Sequence, residues 1–339
     1  MSCIQTVTLK HIADNLGVSE RLVAYALNGN GRVGEQTRQR IIDEARRVGY
    51  RPNRAARTLV TGRSEMLALC LPSMATSYGD VLTRTMEARA RSAKYDLLVT
   101  RMGALSAGDN DASLLPEGLI RVDGGFLLEP PRMPEPQEMD ILRHAVVLGV
   151  LPATEEAQID TVRVNLAPAA QQAVGALLRG KPKCFTFMTT SHVVQAMDET
   201  RAQSYVAGVK ASGGEPRFIV MDKRGDLIAG AMETFLAYVA HQPCPDAVMC
   251  SNDEIAIGVL RAIRTLGLSV PGAVAVTGCD GIDCAQDLYA PLSTIAQPFD
   301  AMAESAWELL MQRIADPDGP PVHRTLDAVF VERESTRRA

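Results

Sequence analysis

The feature that most constrains the fold is the alternation of short apolar runs with amphipathic stretches that begins at Ser64. The alternation predicts strands and helices in turn, which is typical of a parallel sheet with right-handed crossover connections. In such sheets, ligands bind beyond the carboxyl ends of the strands. The predicted strands of the first half are 66–71, 95–99, 125–128, 145–149 and 184–188, and the predicted helices include 80–93 and 167–179.

Length and composition restrict the class of protein. A chain of 339 residues is long enough for two or three folding units, and no apolar run approaches the ~20 residues of a membrane helix. The first residues, Met1-Ser2-Cys3-Ile4-Gln5-Thr6, lack a basic region followed by an apolar core, so we expect no secretory signal and a cytoplasmic protein. The seven cysteines form no C-x-x-C pair, and we expect reduced thiols. A metal cluster at Cys279 and Cys284 is the alternative, but no spaced histidine completes it.

The charge is unevenly distributed. The whole chain carries −5, yet residues 1–63 hold eleven Lys and Arg against five Asp and Glu, which gives +6 there and −11 for the remainder. A small basic head on an acidic body predicts a polyanionic partner for the head, with a merely solvated helical surface as the alternative.

The loop at 29–34 reads G-x-G-x-x-G, the spacing of a dinucleotide-binding turn. That turn requires a strand before it and an acidic residue about 20 positions later. Here a helical pattern leads into the loop, and residues 48–57 contain no acid. No G-x-S-x-G, H-E-x-x-H or P-loop occurs, and the five histidines have no spacing typical of a triad or metal site. We therefore expect no enzyme activity, no catalytic residue, no metal and no cofactor.

The head has the pattern of a helix-turn-helix. Thr8 can cap a first helix, Gly17 can take the positive φ of a tight turn, and Ser19 can cap a second helix. A third amphipathic helix covers 36–48. The second helix of this motif lies in the DNA major groove, so its exposed residues face base edges. The predicted inward residues are Ile12, Ala13, Leu16, Val18, Val23 and Ala26; the predicted base-facing residues are Ser19, Glu20, Arg21, Ala24 and Tyr25; and Arg32 and Thr37 are placed for phosphates.

These residues resemble those of the LacI family of transcriptional regulators. The stretch TLKHIADNLGVSERLVAYALNGNGRVGEQTRQRIIDEARRVGYRPNRAARTLVTGRS follows the family's head almost without gaps. The body stretches VDGGFLLEP, SNDEIAIGVLRAIRTLGLSVPGAVAVTGCDG, PLSTIAQP and VFVEREST match in order. The resemblance implies a repressor that binds near-palindromic double-stranded DNA as a homodimer, with a sensor body like a periplasmic sugar-binding protein.

The resemblance also implies a division of the chain. Residues 1–50 form the helix-turn-helix domain, 51–63 the hinge helix and linker, and 64–339 the effector-binding and dimerisation domain. Two Rossmann-like lobes compose the body, the first at about 64–162 and 296–323 and the second at about 163–295 and 324–339. The chain ends without leucine heptads, which favours a dimer over a tetramer.

Further DNA contacts follow from the family pattern. In the hinge, Leu59 matches a leucine that wedges into the minor groove, which kinks the duplex. The familiar recognition helix reads close to Thr-Val-Ser-Arg where this chain has Leu22-Val23-Ala24-Tyr25, so base preference should differ. Arg21 is the best candidate for a guanine and Glu20 for a cytosine amine. The remaining predicted contacts are Thr8, Asn28, Tyr50, Asn53, Ala56 and Arg57.

Four residues match the family's effector-binding pattern: Tyr78, Arg201, Asn252 and Asp280. Two departures count against an ordinary sugar. Gly149 and Val150 stand where many sugar-responsive members carry an aspartate, and Gly281 replaces a second acid. The single tryptophan, Trp307, falls in a predicted helix at 300–314, where we expect a core or dimer role. We therefore expect a sugar or a related small metabolite, such as a nucleoside. The competing reading is a solute-binding receptor without a DNA role, which the basic head disfavours.

Overall fold

The computed structural model describes residues 7–28, 33–50, 62–72, 76–103, 114–115, 122–130, 132–149, 158–190, 199–221 and 226–337. The chain divides into two compact units, Met1–Ser64 and Glu65–Ala339. Five of the predicted DNA contacts lie outside the described residues: Arg32, Asn53, Ala56, Arg57 and Leu59.

The described residues of the first unit contain three helices, α1 (Leu9–Leu16), α2 (Glu20–Asn28) and α3 (Glu35–Arg47). Local signals explain their ends. The Ser19 Oγ accepts from the Leu22 N–H at 3.2 Å, and the Thr8 N–H donates to Nδ1 of His11 at 3.1 Å. Gly17 has φ of +66° at the turn between α1 and α2, a conformation that glycine adopts without strain. The predicted caps and turn of the helix-turn-helix are therefore confirmed.

A small apolar core holds the three helices together. The side chain of Arg38 adds a polar tie, because its Nη1 donates to the Ala26 carbonyl at 3.0 Å and so joins α3 to the end of α2. Four of the six predicted inward residues are buried, and Leu16 and Val18 are half-buried at the edge of the core. The buried residues of the head are Ile12, Ala13, Val23, Ala26, Ile41 and Ala45.

The second unit contains two six-stranded sheets. The first has the strand order β11-β5-β4-β3-β1-β2, and every pairing in it is parallel. Its strands are β1 (Met66–Leu71), β2 (Asp96–Arg101), β3 (Gly124–Leu128), β4 (Ala145–Gly149), β5 (Asp160–Asn165) and β11 (His323–Asp327), and the helices connected with it are α4 (Ser77–Ser92), α5 (Pro136–Leu142) and α10 (Phe299–Ala315).

The second sheet has the order β12-β10-β9-β8-β6-β7, parallel except for the antiparallel pair of β10 and β12. Its strands are β6 (Phe185–Thr190), β7 (Arg217–Met221), β8 (Ala247–Cys250), β9 (Ala275–Asp280), β10 (Ser293–Ala296) and β12 (Val329–Val331), and its helices are α6 (Ala167–Leu178), α7 (Thr200–Ala211), α8 (Leu227–His241) and α9 (Asp253–Thr265). A three-helix head and two parallel-sheet lobes confirm the predicted fold class.

The chain passes from one sheet to the other three times. It leaves the first sheet after Asn165, returns after Ala296, and leaves again after Asp327. The first and last of these points lie a few residues later than the predicted 162 and 323. Both lobes contribute buried residues to one continuous apolar cluster, which includes Phe126 from the first sheet and Phe187 from the second.

Trp307 packs within this apolar cluster. Its ring stacks on Phe126 with centroids 6.2 Å apart and meets Tyr95 edge-on at 6.1 Å. Trp307 is half-buried and packs against the core, in line with the expected core or dimer role, and the dimer alternative stays a prediction. Among the helices that the structure describes, none has the length and apolar character needed to cross a membrane.

Candidate DNA-binding face and ligand site

Helix α2 presents a cationic and aromatic pair to solvent. The Nε of Arg21 donates to the Tyr25 hydroxyl at 2.8 Å, and its guanidinium carbon lies 5.2 Å from the centre of the Tyr25 ring. Both residues are exposed, as is Glu20 in the first turn. Because the hydrogen bond engages Nε, a two-pronged contact to a guanine would come from the terminal nitrogens of Arg21.

Several of the other predicted DNA contacts also help to hold the head together. The hydroxyl of Ser19 and the backbone of Thr8 take part in helix caps. Tyr50 packs against the head core, and burial raises the pKa of its hydroxyl. Ala24 and Thr37 are half-buried. The backbone of Asn28 ends α2, while its side chain lies outside the described residues. Contact of these residues with DNA stays a prediction.

In the second unit, a buried ionic cluster lies at the carboxyl ends of strands. Arg201 stands in the first turn of α7, where its Nε donates to the Glu199 carboxylate and its Nη1 donates to the Ser251 carbonyl. Burial lowers the pKa of Arg201, but the Glu199 carboxylate, with Cys279 and Asp280, raises it overall. The guanidinium is thus a fixed cation whose charge is already offset.

Asp280 ends β9 in the positive-φ region, at +123°. Its Oδ1 accepts from Nε2 of Gln297 at 2.9 Å, and its carbonyl accepts from the Gln297 N–H at 3.0 Å. The pKa of Asp280 is raised well above its usual value by burial and then by the charge of Asp253, while Arg201 opposes the shift. This carboxyl group therefore retains a proton more readily than an exposed aspartate.

Gly281 follows with φ of +79°, and a Cβ there would lie 2.8 Å from Cα of Ala296. In this conformation the backbone of β10 leaves no room for a side chain at position 281.

Two buried polar atoms in this region have no hydrogen-bond partner among the described residues, the Tyr78 hydroxyl and Oε1 of Gln297. The Tyr78 ring packs against Phe299 with centroids 5.3 Å apart. Burial raises the pKa of Tyr78 well above its usual value, and the charges of Glu129 and Asp280 raise it further. An unpaired buried polar group is costly, so both atoms are suited to meet a ligand.

Asn252 caps a helix of the second lobe. Its Oδ1 accepts from the Ile255 N–H at 2.8 Å and so caps α9. The adjacent Asp253 is fully buried and accepts hydrogen bonds from three donors. These are the N–H of Gly281 at 2.7 Å, the N–H of Ile282 at 2.9 Å and the hydroxyl of Thr294 at 2.6 Å. Ligand contact by Asn252 stays a prediction, while Asp253 holds the loop that follows Asp280.

Polar contacts also join the two lobes. The N–H and the hydroxyl of Ser77, at the start of α4, donate to the same carboxylate oxygen of Glu254 on α9, at 3.0 and 2.8 Å. Arg84 on α4 pairs with Asp283 at 3.2 Å. A groove of about 730 Å³ adjoins them and reaches Gln297. Tyr78, Arg201 and Asp280 are not among the residues that line this groove.

Three residues of this region escaped the sequence-based selection: Glu129, Glu199 and Gln297. Glu129 follows β3 and Gln297 follows β10, and both lie in stretches that match the family. Their position directly after buried strands was the available signal, because ligand-binding side chains gather at strand ends in these sheets. Glu199 caps α7 by accepting from two backbone N–H groups, and the sequence DET gives only a weak hint of it.

Both units of the chain match known protein families. Residues 8–53 match the family model of bacterial regulatory proteins of the lacI family, and residues 174–336 match the periplasmic binding protein-like domain. Over 345 residues the chain is 27% identical to the HTH-type transcriptional regulator CelR of Thermobifida fusca, covering 97% of this chain and 98% of CelR. It is 26% identical over 336 residues to the HTH-type transcriptional repressor CytR of Escherichia coli strain K12, covering 97% and 96%.

Solved structures share the fold. The crystal structure of the lac repressor dimer bound to operator and the anti-inducer ONPF aligns with a TM-score of 0.76 at 20% identity, covering 98% of this chain and 99% of the other. The CelR–cellobiose complex aligns with a TM-score of 0.62 at 22% identity, covering 97% and 99%. The head thus matches the lacI family of bacterial regulatory proteins and the body matches the periplasmic binding protein-like domain, and the chain is similar over nearly its whole length to HTH-type transcriptional regulators.

Proposed function

We propose that this protein is a repressor that binds a near-palindromic operator as a homodimer and releases or tightens its hold when a small polar ligand occupies the site between the two lobes. The observation that carries the proposal is the exposed pair of Arg21 and Tyr25 on the second helix of a folded helix-turn-helix. A guanidinium held over an aromatic ring has its direction set before DNA arrives, which lowers the entropy lost on binding.

Two heads are needed because one α2 helix of nine residues reads only a few base pairs. The lac repressor relative is a dimer on its operator, and we extend that assembly to this chain. Between the heads, the hinge segment 51–63 would order against the minor groove and insert Leu59 at the centre of the site. The positive charge of residues 1–63 supports contact with phosphates, which positions the heads.

The ligand site lies where the unpaired atoms of Tyr78 and Gln297 meet the ionic cluster of Arg201 and Asp280. A ligand there contacts both lobes, because Tyr78 stands on α4 of the first lobe and Arg201 on α7 of the second. Any difference in its affinity for open and closed lobes shifts the population between them, and the hinge transmits that shift. The ligand is bound and released without a chemical reaction. Because the operator is chromosomal DNA, the protein acts in the cytoplasm.

The test is capture of fragmented genomic DNA by the full-length protein at moderate salt, followed by sequencing. We expect a near-palindrome with a flexible central step. Arg21→Ala should weaken binding by roughly 1–3 kcal/mol and relax preference at one base position. The exposed Arg261 on α9 of the body offers a matched control, and Arg261→Ala should bind as the parent does. Capture without any shared sequence would contradict the proposal.

A further inference from the structure

Helix α2 is anchored in the head by small side chains. Among its described side chains, Val23 and Ala26 are the buried ones, while Arg21 and Tyr25 stand in solvent on the opposite face. Small side chains interdigitate little with a neighbouring helix, so they resist rotation of α2 about its axis only weakly. A further contact is needed to fix the direction in which Arg21 and Tyr25 point.

Arg38 of α3 supplies such a contact. Its Nη1 donates to the Ala26 carbonyl at 3.0 Å. This carbonyl is one of the last four of α2, for which the helix itself offers no N–H donor. Ala26 directly follows Tyr25 in the chain. The hydrogen bond therefore holds the backbone of α2 next to one of the two exposed side chains that we expect to face base edges.

The charges at the helix ends favour a role for Arg38 outside its own helix. Arg38 is the fourth residue of α3, close to the end at which the dipole of that helix disfavours a cation. The last turn of α2 contains no basic residue, although its dipole favours one there. The guanidinium of Arg38 thus serves as the cationic cap that α2 does not provide for itself.

A small rotation of α2 is enough to spoil base recognition. Side-chain tips lie about 6 Å from a helix axis, so a rotation of about 20° moves them by roughly 2 Å. Hydrogen bonds to base edges tolerate a change of only about 0.5 Å in length. The attraction between a basic head and the phosphates depends far less on direction. Loss of the Arg38 hydrogen bond should therefore affect sequence preference more than attraction to DNA as such.

We infer that Arg38 is a positioning residue, which fixes the angle of α2 so that Arg21 and Tyr25 meet base edges. It acts through the Ala26 carbonyl and contacts neither a base nor a phosphate. The inference rests on the proposed binding of an operator. Without the hydrogen bond, affinity for a preferred sequence should fall about tenfold, whereas affinity for other DNA should stay nearly the same.

The test uses the full-length protein and two probes. The first is a duplex pool randomised over about 20 base pairs, which is two helical turns, and the second is poly(dI-dC) as DNA without a preferred sequence. The parent selects a duplex from the pool, and the affinity of every variant for that duplex and for poly(dI-dC) is measured over a salt series. Arg38→Met keeps the apolar stem and removes the donor, so its preference for the selected duplex should fall about tenfold. Arg38→Lys, whose ammonium can donate to the same carbonyl, should retain most of that preference.

Arg40→Met is the matched control, because Arg40 is exposed on the same helix and carries the same charge. It should leave the ratio of the two affinities unchanged. The salt series separates positioning from phosphate contact, since each lost phosphate contact lowers the log–log slope by about 0.9. We expect Arg38→Met to keep the slope of the parent.

Four results would overturn the role of Arg38 while leaving a working DNA-binding protein. They are an unchanged preference in Arg38→Met, an equal loss of preference in Arg40→Met, a preference in Arg38→Lys as low as in Arg38→Met, and a lowered salt slope in Arg38→Met, which would make Arg38 a phosphate contact. An equal fall of both affinities in Arg38→Met also contradicts positioning, because a displaced helix should spare poly(dI-dC). Selection of no sequence by the parent would overturn operator binding and the inference together.

Discussion

Replacement of Asp253 by alanine should loosen the part of the second lobe that carries Asp280. The carboxylate of Asp253 accepts two backbone N–H groups on one oxygen and the Thr294 hydroxyl on the other, all at 2.6–2.9 Å. Each buried donor left without an acceptor costs about 1–3 kcal/mol. We expect Asp253→Ala to lower the local stability by about 3–6 kcal/mol, below the full sum because the buried carboxyl's own desolvation cost also disappears.

Asp253→Asn separates hydrogen bonding from charge. The amide oxygen of asparagine can accept both N–H groups of Gly281 and Ile282, and its NH₂ can donate to the Thr294 oxygen, so the Thr294 O–H is the one donor of the three that loses its acceptor. The cost should then be about 1 kcal/mol or less. Thr294→Val, which removes a single hydroxyl, should lie between the two variants.

The assay is hydrogen exchange with mass spectrometry on peptides that cover β9 and β10, because local opening free energies can be read for one lobe without assuming that the whole chain unfolds in one step. Peptides from α1–α3 serve as the internal control and should exchange equally in all variants. If Asp253→Ala and Asp253→Asn lower the opening free energy by the same amount, the three hydrogen bonds do not hold this loop, and the reasoning is refuted.

Three further results are expected. Tyr25→Phe removes the hydroxyl that accepts a hydrogen bond from Arg21 but keeps the aromatic ring. We expect operator binding, measured by fluorescence anisotropy, to weaken by about 0.5–1.5 kcal/mol with no change in melting temperature. An unchanged affinity would mean that DNA does not use this pair. The raised pKa of Asp280 makes the folded chain hold that proton more tightly than the unfolded chain, so its contribution to stability is complete below about pH 3.9 and is lost as pH rises through the folded pKa. Asp280→Asn should therefore lose less thermal stability than the parent as pH rises above about 3.9, and parallel curves would contradict the assignment. Glu254→Gln weakens the two hydrogen bonds from Ser77 across the lobes and should raise proteolysis of the ligand-free body, which limited trypsin digestion would detect; equal digestion would show that this contact does not hold the lobes.

The sequence was most informative where structure depends on neighbouring residues. Caps at Thr8 and Ser19 and the turn at Gly17 were predicted correctly, because each is decided within one helical turn. The strands at 66–71 and 145–149 were predicted with the bounds observed, since continuous apolar runs bounded by turns are typical of buried parallel strands.

The sequence was least informative where residues far apart in the chain meet. The role of Asp253 depends on Thr294, forty-one positions later, and no local pattern indicates such a contact. Glu129 was missed although it directly follows a buried strand, because nothing in the local sequence shows which strand ends meet at the site.

The threefold passage of the chain between the sheets has a consequence for synthesis on the ribosome. The first sheet receives β11 and α10, and the second receives β10 and β12, all from the part of the chain after residue 292. Neither lobe is complete until that part has emerged, whereas the three helices of the head need only the first fifty residues. During synthesis, the helices of the head can therefore fold while strands of both lobes still lack their neighbours. Chaperones that bind apolar strands should associate with the body long after the head has folded.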